Sequence, residues 1–134
     1  MRDRQTAPGL HRPAMHPPVL FCALMLAACT DQPAPLCDET ARRCLNIETR
    51  DVDWRGRQAF QVRLANICHE EIEYKLCFET PGEQADCRQD TLEPTRRTEE
   101  NILVSRFGGG TRVFVRYVRE AKICRFPLTP DVKF

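Results

Sequence analysis

Cys68-His69-Glu70 sets a thiol, an imidazole and a carboxylate in a row, the residue types of a Cys–His nucleophilic site. Neighbours on an extended chain point to opposite faces, however, so Cys68 and His69 do not meet. A bridged Cys68 beside an exposed His69 is the expectation. Glu70, Glu71 and Glu73 cluster near the start of one strand. Paired carboxylates can do acid–base work, but at a turn they read as a solvated cap. Gly108-Gly109-Gly110 lacks the Lys-Ser/Thr end and the following helix of a phosphate loop. It reads as a hairpin connection. No nucleophile, base and oxyanion site converge, so the chain reads as a non-enzyme with no cofactor.

A basic cluster is more suggestive. Arg106, Arg112, Arg116, Arg119, Lys122 and Arg125 fall within 20 residues that contain one acid, Glu120. Arg112, Phe114 and Arg116 share one side of a strand, an arginine–aromatic–arginine line suited to an envelope protein or polyanionic partner. The plain alternative is a solvated sheet face with Phe114 covered.

Eight cysteines occur. Cys22 and Cys29 lie near the amino terminus, which leaves Cys37, Cys44, Cys68, Cys77, Cys87 and Cys124 as an even set, read as a disulfide framework. Several pairings remain open. The preferred one joins Cys37 to Cys44, Cys77 to Cys87 around Pro81-Gly82, and Cys68 to Cys124, the longest loop and so the most stabilising. Zinc is not expected, since no C-x-x-C pair exists and one histidine, His69, follows Cys29.

The elements carrying these residues alternate. Ala59–Leu64 puts Phe60, Val62 and Leu64 inward. Ile72, Tyr74, Leu76 and Phe78 repeat the pattern, with Glu73, Lys75 and Cys77 outward, before a turn at Thr80-Pro81-Gly82. An early strand runs from Leu45 to Trp54. Asp86–Glu100 is polar and reads as loop plus a poor edge strand. Ile102-Leu103-Val104 begins another strand. Thr111–Arg119 is the strongest, with Val113, Val115 and Tyr117 as its core face, and Ile123–Phe126 closes the sheet. No helical period is evident. Five to seven short strands predict an all-β, disulfide-stapled antiparallel sandwich over residues 37–134.

The amino terminus has a different character. Met1 to Pro18 carries Arg2, Arg4 and Arg12 against Asp3, and a ten-residue apolar run, Val19 to Ala28, follows. That is a secretory signal, too short for a spanning helix of roughly 20 residues. Met15 offers a second possible start, without the arginines. Leu26-Ala27-Ala28-Cys29 resembles the lipobox of bacterial lipoprotein precursors. The resemblance implies cleavage after residue 28, acylation of Cys29 with palmitate-type chains, and a lipid-anchored place in the cell envelope. Thr30, where an Asp would mark inner-membrane retention, favours the outer membrane facing the periplasm. The alternative is an ordinary cleaved signal with Cys29 incidental. Residues 29–36 then form a lipidated, proline-containing tether. Without residues 1–28, 106 residues remain, one domain's worth, and the net charge moves from +1 to −1 because three arginines and one aspartate leave. Near-neutrality argues against a nucleic-acid binder.

Val62-Arg63-Leu64-Ala65-Asn66-Ile67-Cys68, then Tyr74-Lys75-Leu76-Cys77, Cys87 and Leu92-Glu93-Pro94, resemble small secreted bacterial immunoglobulin-like domains. These have a strand ending Asn-x-Cys, a second strand with its own cysteine, and a later Leu-x-Pro-Gly. Thr95 stands where that pattern has glycine. The resemblance implies an immunoglobulin-like fold and an interaction role, without catalytic residues. Together these readings give a periplasmic lipoprotein acting as a non-catalytic binding or assembly accessory. The alternative is an inhibitor of an envelope-attacking enzyme such as a lysozyme.

Overall fold

The computed structural model describes Gly9 and residues 32–134. Apart from Gly9, the segment expected to be a signal lies outside the described residues, and Cys29 with it. The folded unit spans Ala34–Phe134. Its six strands are β1 (Leu45–Trp54), β2 (Arg57–Asn66), β3 (Ile72–Phe78), β4 (Asp86–Leu92), β5 (Arg97–Leu103) and β6 (Thr111–Tyr117). They form two antiparallel sheets of order β1-β2-β5 and β4-β3-β6. The chain passes from the first sheet to the second after β2, returns after β4, and crosses again after β5. The helical pieces among the described residues are short 3-10 turns at Thr40–Cys44, Val118–Glu120 and Thr129–Asp131. None is long and apolar enough to cross a membrane.

The two middle strands are the ones whose alternation is cleanest. Val62 and Leu64 of β2 and Ile72, Tyr74, Leu76 and Phe78 of β3 are all buried in one core. Leu45, Ile102, Leu92, Val115 and Tyr117 complete it from the flanking strands. Each large apolar side chain buried here contributes about 1.5–3 kcal/mol. Phe107, from the connection after β5, caps one end, stacked on Phe60 at 4.5 Å and edge-on to Phe78 at 6.0 Å.

Asp86–Glu100 departs from the expected loop: it holds all of β4 and the start of β5. Apolar alternation is absent because the inward side of β4 carries Asp86, Arg88 and Asp90 opposite Phe78, Leu76 and Tyr74. Of these, Arg88 meets Glu100 of β5 where the sheet edges adjoin, and Asp86 pairs with Arg88 itself. Arg88 donates to Glu100 at 2.9 Å and to the Asn101 carbonyl at 2.6 Å, with its guanidinium 5.3 Å from the Phe78 ring centre. Tyr74 donates to the other Glu100 oxygen at 3.0 Å. Burial first, then the Glu100 charge, pushes the Tyr74 phenol well above its ordinary range. Burial opposes the charge on Arg88, but Glu100 and Asp86 outweigh it and raise its pKa.

Asn66 explains the end of β2. Its buried side-chain amide donates to the carbonyls of Glu70 (2.8 Å) and Leu92 (3.0 Å) and accepts from the Cys68 amide (3.0 Å). One side chain thus fastens the exit of β2, the entry to β3 and the turn after β4. The backbone of Asn66 accepts from Thr95, and Thr95 has φ +63°. A β-branched residue in the left-handed region is strained, and glycine relieves it. Thr95→Gly is expected to raise stability by about 0.5–1 kcal/mol, seen as a higher urea midpoint with an unchanged slope. A lower midpoint would show that the Thr95 side chain contributes more than its backbone costs.

Three disulfides form among the described residues, two of them not as preferred from the sequence. Cys77–Cys87 is as expected, its members directly opposite across β3 and β4. Cys44, however, pairs with Cys68, and Cys37 with Cys124, at Cα separations of 5.0 and 4.7 Å. The β1–β2 ladder is the reason for the first. Leu45 faces Asn66, and the Ile67 amide donates to the Cys44 carbonyl at 2.8 Å, so Cys44 and Cys68 sit just past the last rung. The second follows because Ile123–Phe126 does not join a sheet as expected. It makes one parallel bridge, Leu36 with Arg125, and this brings Cys124 to Cys37.

Candidate partner-binding surfaces

The register of β6 on β3 sets Arg112, Phe114 and Arg116 opposite Cys77, Lys75 and Glu73, all on the sheet's outer face. That face is not open along its length, because the carboxyl-terminal segment crosses it. Lys75 donates to the Pro127 carbonyl at 2.7 Å, and burial lowers its pKa from the usual lysine range. Arg116 is 9% exposed; it donates to Glu73 and to the Cys124 carbonyl, each at 2.7 Å, beneath the Phe126 ring. Phe114 is half-buried and lines a cavity of about 130 Å³ with Leu36, Phe126 and Pro127. Arg112 alone of the three is exposed, its guanidinium 5.6 Å from the Phe114 ring centre. The expected stripe is therefore not a solvent-facing row: Arg116 is a structural cation.

The rest of the basic cluster is also largely engaged. Arg119 pairs with Glu70. Arg125 donates to the Ala34 carbonyl at 2.9 Å, and Arg106 lies 3.6 Å from Glu83. The acidic cluster disperses in the same way, since Glu73 is held by Arg116 and by Gln89. Cys68 is in a disulfide while His69 is exposed, so no Cys–His pair is assembled. Cys37, Cys124 and Glu120 bring three ligand-type atoms within 4.8 Å, but the two sulfurs are bonded to each other. Gly108 and Gly110 serve packing. Their amides donate to the Glu79 carbonyl and carboxylate, and a Cβ at Gly110 would stand 2.6 Å from that carboxylate.

A second exposed aromatic feature lies elsewhere, at the β1–β2 hairpin. Arg55 and Gly56 both have positive φ, +55° and +76°, the two-residue turn that matches strand twist. The hairpin runs past the end of β5, whose last strand pair is Leu103 with Ala59. Trp54, the chain's sole tryptophan, is 37% exposed, with the Arg55 guanidinium 4.8 Å from its ring centre. Val52, Ala59 and Leu103 share the Trp54 face, and Val104 follows, 48% exposed. Further along the same face the character becomes ionic: Arg63 lies 2.8 Å from Glu99 and 3.6 Å from Glu48, and Arg50 donates to Gln61 at 2.7 Å. Alternation alone does not reveal this site. A lone Trp beside Arg-Gly, between two alternating runs, is the signal that marks it.

Fold and surface together define a disulfide-stapled all-β domain of two three-stranded antiparallel sheets, with an aromatic–guanidinium pair on a projecting hairpin. Neither a protein-family model nor a curated protein matches this chain.

Proposed function

We propose that this chain is the precursor of an envelope lipoprotein, lipidated at Cys29 and outer-membrane-anchored on the periplasmic side. Its immunoglobulin-like sandwich acts as a non-catalytic binding or assembly accessory. The pairing of the first, second and fifth strands in one sheet, and of the third with the fourth and sixth in the other, supports the immunoglobulin-like reading. The observation that carries the binding role is the exposed Trp54–Arg55 pair, since tryptophan and arginine dominate binding hot spots. Cross-linked complexes recovered from envelopes test it. Trp54→Ala with Arg55→Ala should cut recovery of a specific partner about tenfold or more with folding unchanged. Recovery equal to that of the unaltered protein would clear the hairpin of the role.

The projecting shape of the hairpin favours one second reading, inhibition of a lysozyme by occupation of its cleft. Stoichiometric inhibition of a muramidase, lost in the same variant, would replace the accessory reading.

A further inference from the structure

We infer that the layer formed by Leu36 and the segment Ile123–Phe134 lies against the lipid bilayer, its exposed apolar side chains seated in the interface. The inference rests on the proposed acylation of Cys29. Seven large apolar side chains stand exposed among the described residues, and four belong to this layer: Leu36 (55%), Ile123 (66%), Leu128 (61%) and Phe134 (49%). The layer is also where the chain from the anchor arrives. The Ala34 carbonyl accepts from the Arg125 side chain at 2.9 Å, and the Pro35 carbonyl from the Arg125 amide at 2.8 Å. The Cys37 amide in turn donates to the Arg125 carbonyl at 2.9 Å, and the Cys37–Cys124 disulfide fixes the junction.

Ala34 lies five positions after Cys29, so the backbone of an acylated Cys29 and this junction lie at most about 18 Å apart along the chain. A tether that short gives the nearby face a millimolar effective concentration at the interface. Contacts too weak to hold a free protein then suffice. Charge plays little part, because over residues 36–39 and 119–134, the layer and its immediate flanks, Arg119, Lys122, Arg125 and Lys133 are offset by Asp38, Glu39, Glu120 and Asp131. Apolar partition is the term that remains.

The sole native tryptophan lies on the β1–β2 hairpin, which supplies an internal control. The full lipoprotein, purified from membranes, is placed in phosphatidylcholine vesicles with brominated acyl chains, with and without phosphatidylglycerol. Ile123→Trp and, separately, Leu128→Trp, each in a Trp54→Phe background, should lose roughly half or more of their emission to the brominated lipid. Native Trp54 should lose far less, and phosphatidylglycerol should change neither result. Protein that is acylated by mass and floats with vesicles, yet shows no quenching or equal quenching of Trp54, overturns this inference and leaves the anchor standing. Protein without acyl mass that does not float overturns both.

Discussion

Replacing Cys37 and Cys124 together with serine is expected to lower unfolding stability by about 4–5 kcal/mol in the chain-entropy account. The bridge closes a separation of 87 residues, against 24 for Cys44–Cys68 and 10 for Cys77–Cys87. Restriction of the unfolded chain grows with loop length, so the ranking follows from these separations. Domains of this size are held by about 5–15 kcal/mol, and the loss consumes much of that. Local structure adds to it, since the same bridge holds the parallel Leu36–Arg125 contact and the start of the segment over Lys75 and Arg116. The Cys77–Cys87 variant should lose less, because that bridge joins residues already opposite in a ladder. Urea unfolding compares the two directly. The Cys37/Cys124 variant should have the lower midpoint, and equal midpoints would refute the ranking. Peptide mapping of the unreduced protein should recover Cys37 with Cys124, and a Cys68–Cys124 peptide would contradict the fold itself.

The sequence makes β1, β2 and β3 legible because each has a partner sheet on one side and water or a polar layer on the other. Alternation then reports which side chains face the other sheet, and Ile72–Phe78 is found to the residue, although the outward Lys75 and Cys77 are buried as well. It fails over Asp86–Glu100, where Arg88, Asp86 and Glu100 neutralise one another across the join of two sheets. A strand whose inward side is charged has the composition of a loop, and only the spatial partner distinguishes the two. Ile123–Phe126 misleads in the opposite sense. Ile123 and Arg125 alternate with buried Cys124 and Phe126, which imitates a strand. The buried side covers a sheet instead of extending it. The two disulfides that differ from the expected pairing share this cause, since joining Cys68 to Cys124 requires a last strand over Ile123–Phe126 that does not form. Among site residues, Arg112, Phe114 and Arg116 do share a face, as parity requires. That the face is roofed depends on contacts between residues far apart in the chain, to which local periodicity is blind.

Arg116 gives the sharpest test of that roof. Arg116→Ala is expected to cost about 3–5 kcal/mol, the range for removing one partner of a buried ion pair. The pair is largely screened from solvent, with side chains 10% and 15% exposed for Arg116 and Glu73. Loss of the guanidinium also frees the Cys124 carbonyl and removes the cation beneath Phe126. Glu73 keeps only its bond from Gln89. Replacing both members, Arg116→Met with Glu73→Gln, should recover a substantial part of the loss, because no uncompensated charge then remains inside. Arg112→Ala, at an exposed neighbour on the same face, should stay within about 0.5 kcal/mol of the parent protein. These outcomes separate a structural cation from a binding one. An exposed Arg116 waiting for a polyanion would make Arg116→Ala as mild as Arg112→Ala and shift only partner recovery. A roofed Arg116 makes the single variant severe and the double variant milder. Equal, small effects at both arginines would mean that the carboxyl-terminal layer does not cover this sheet in solution.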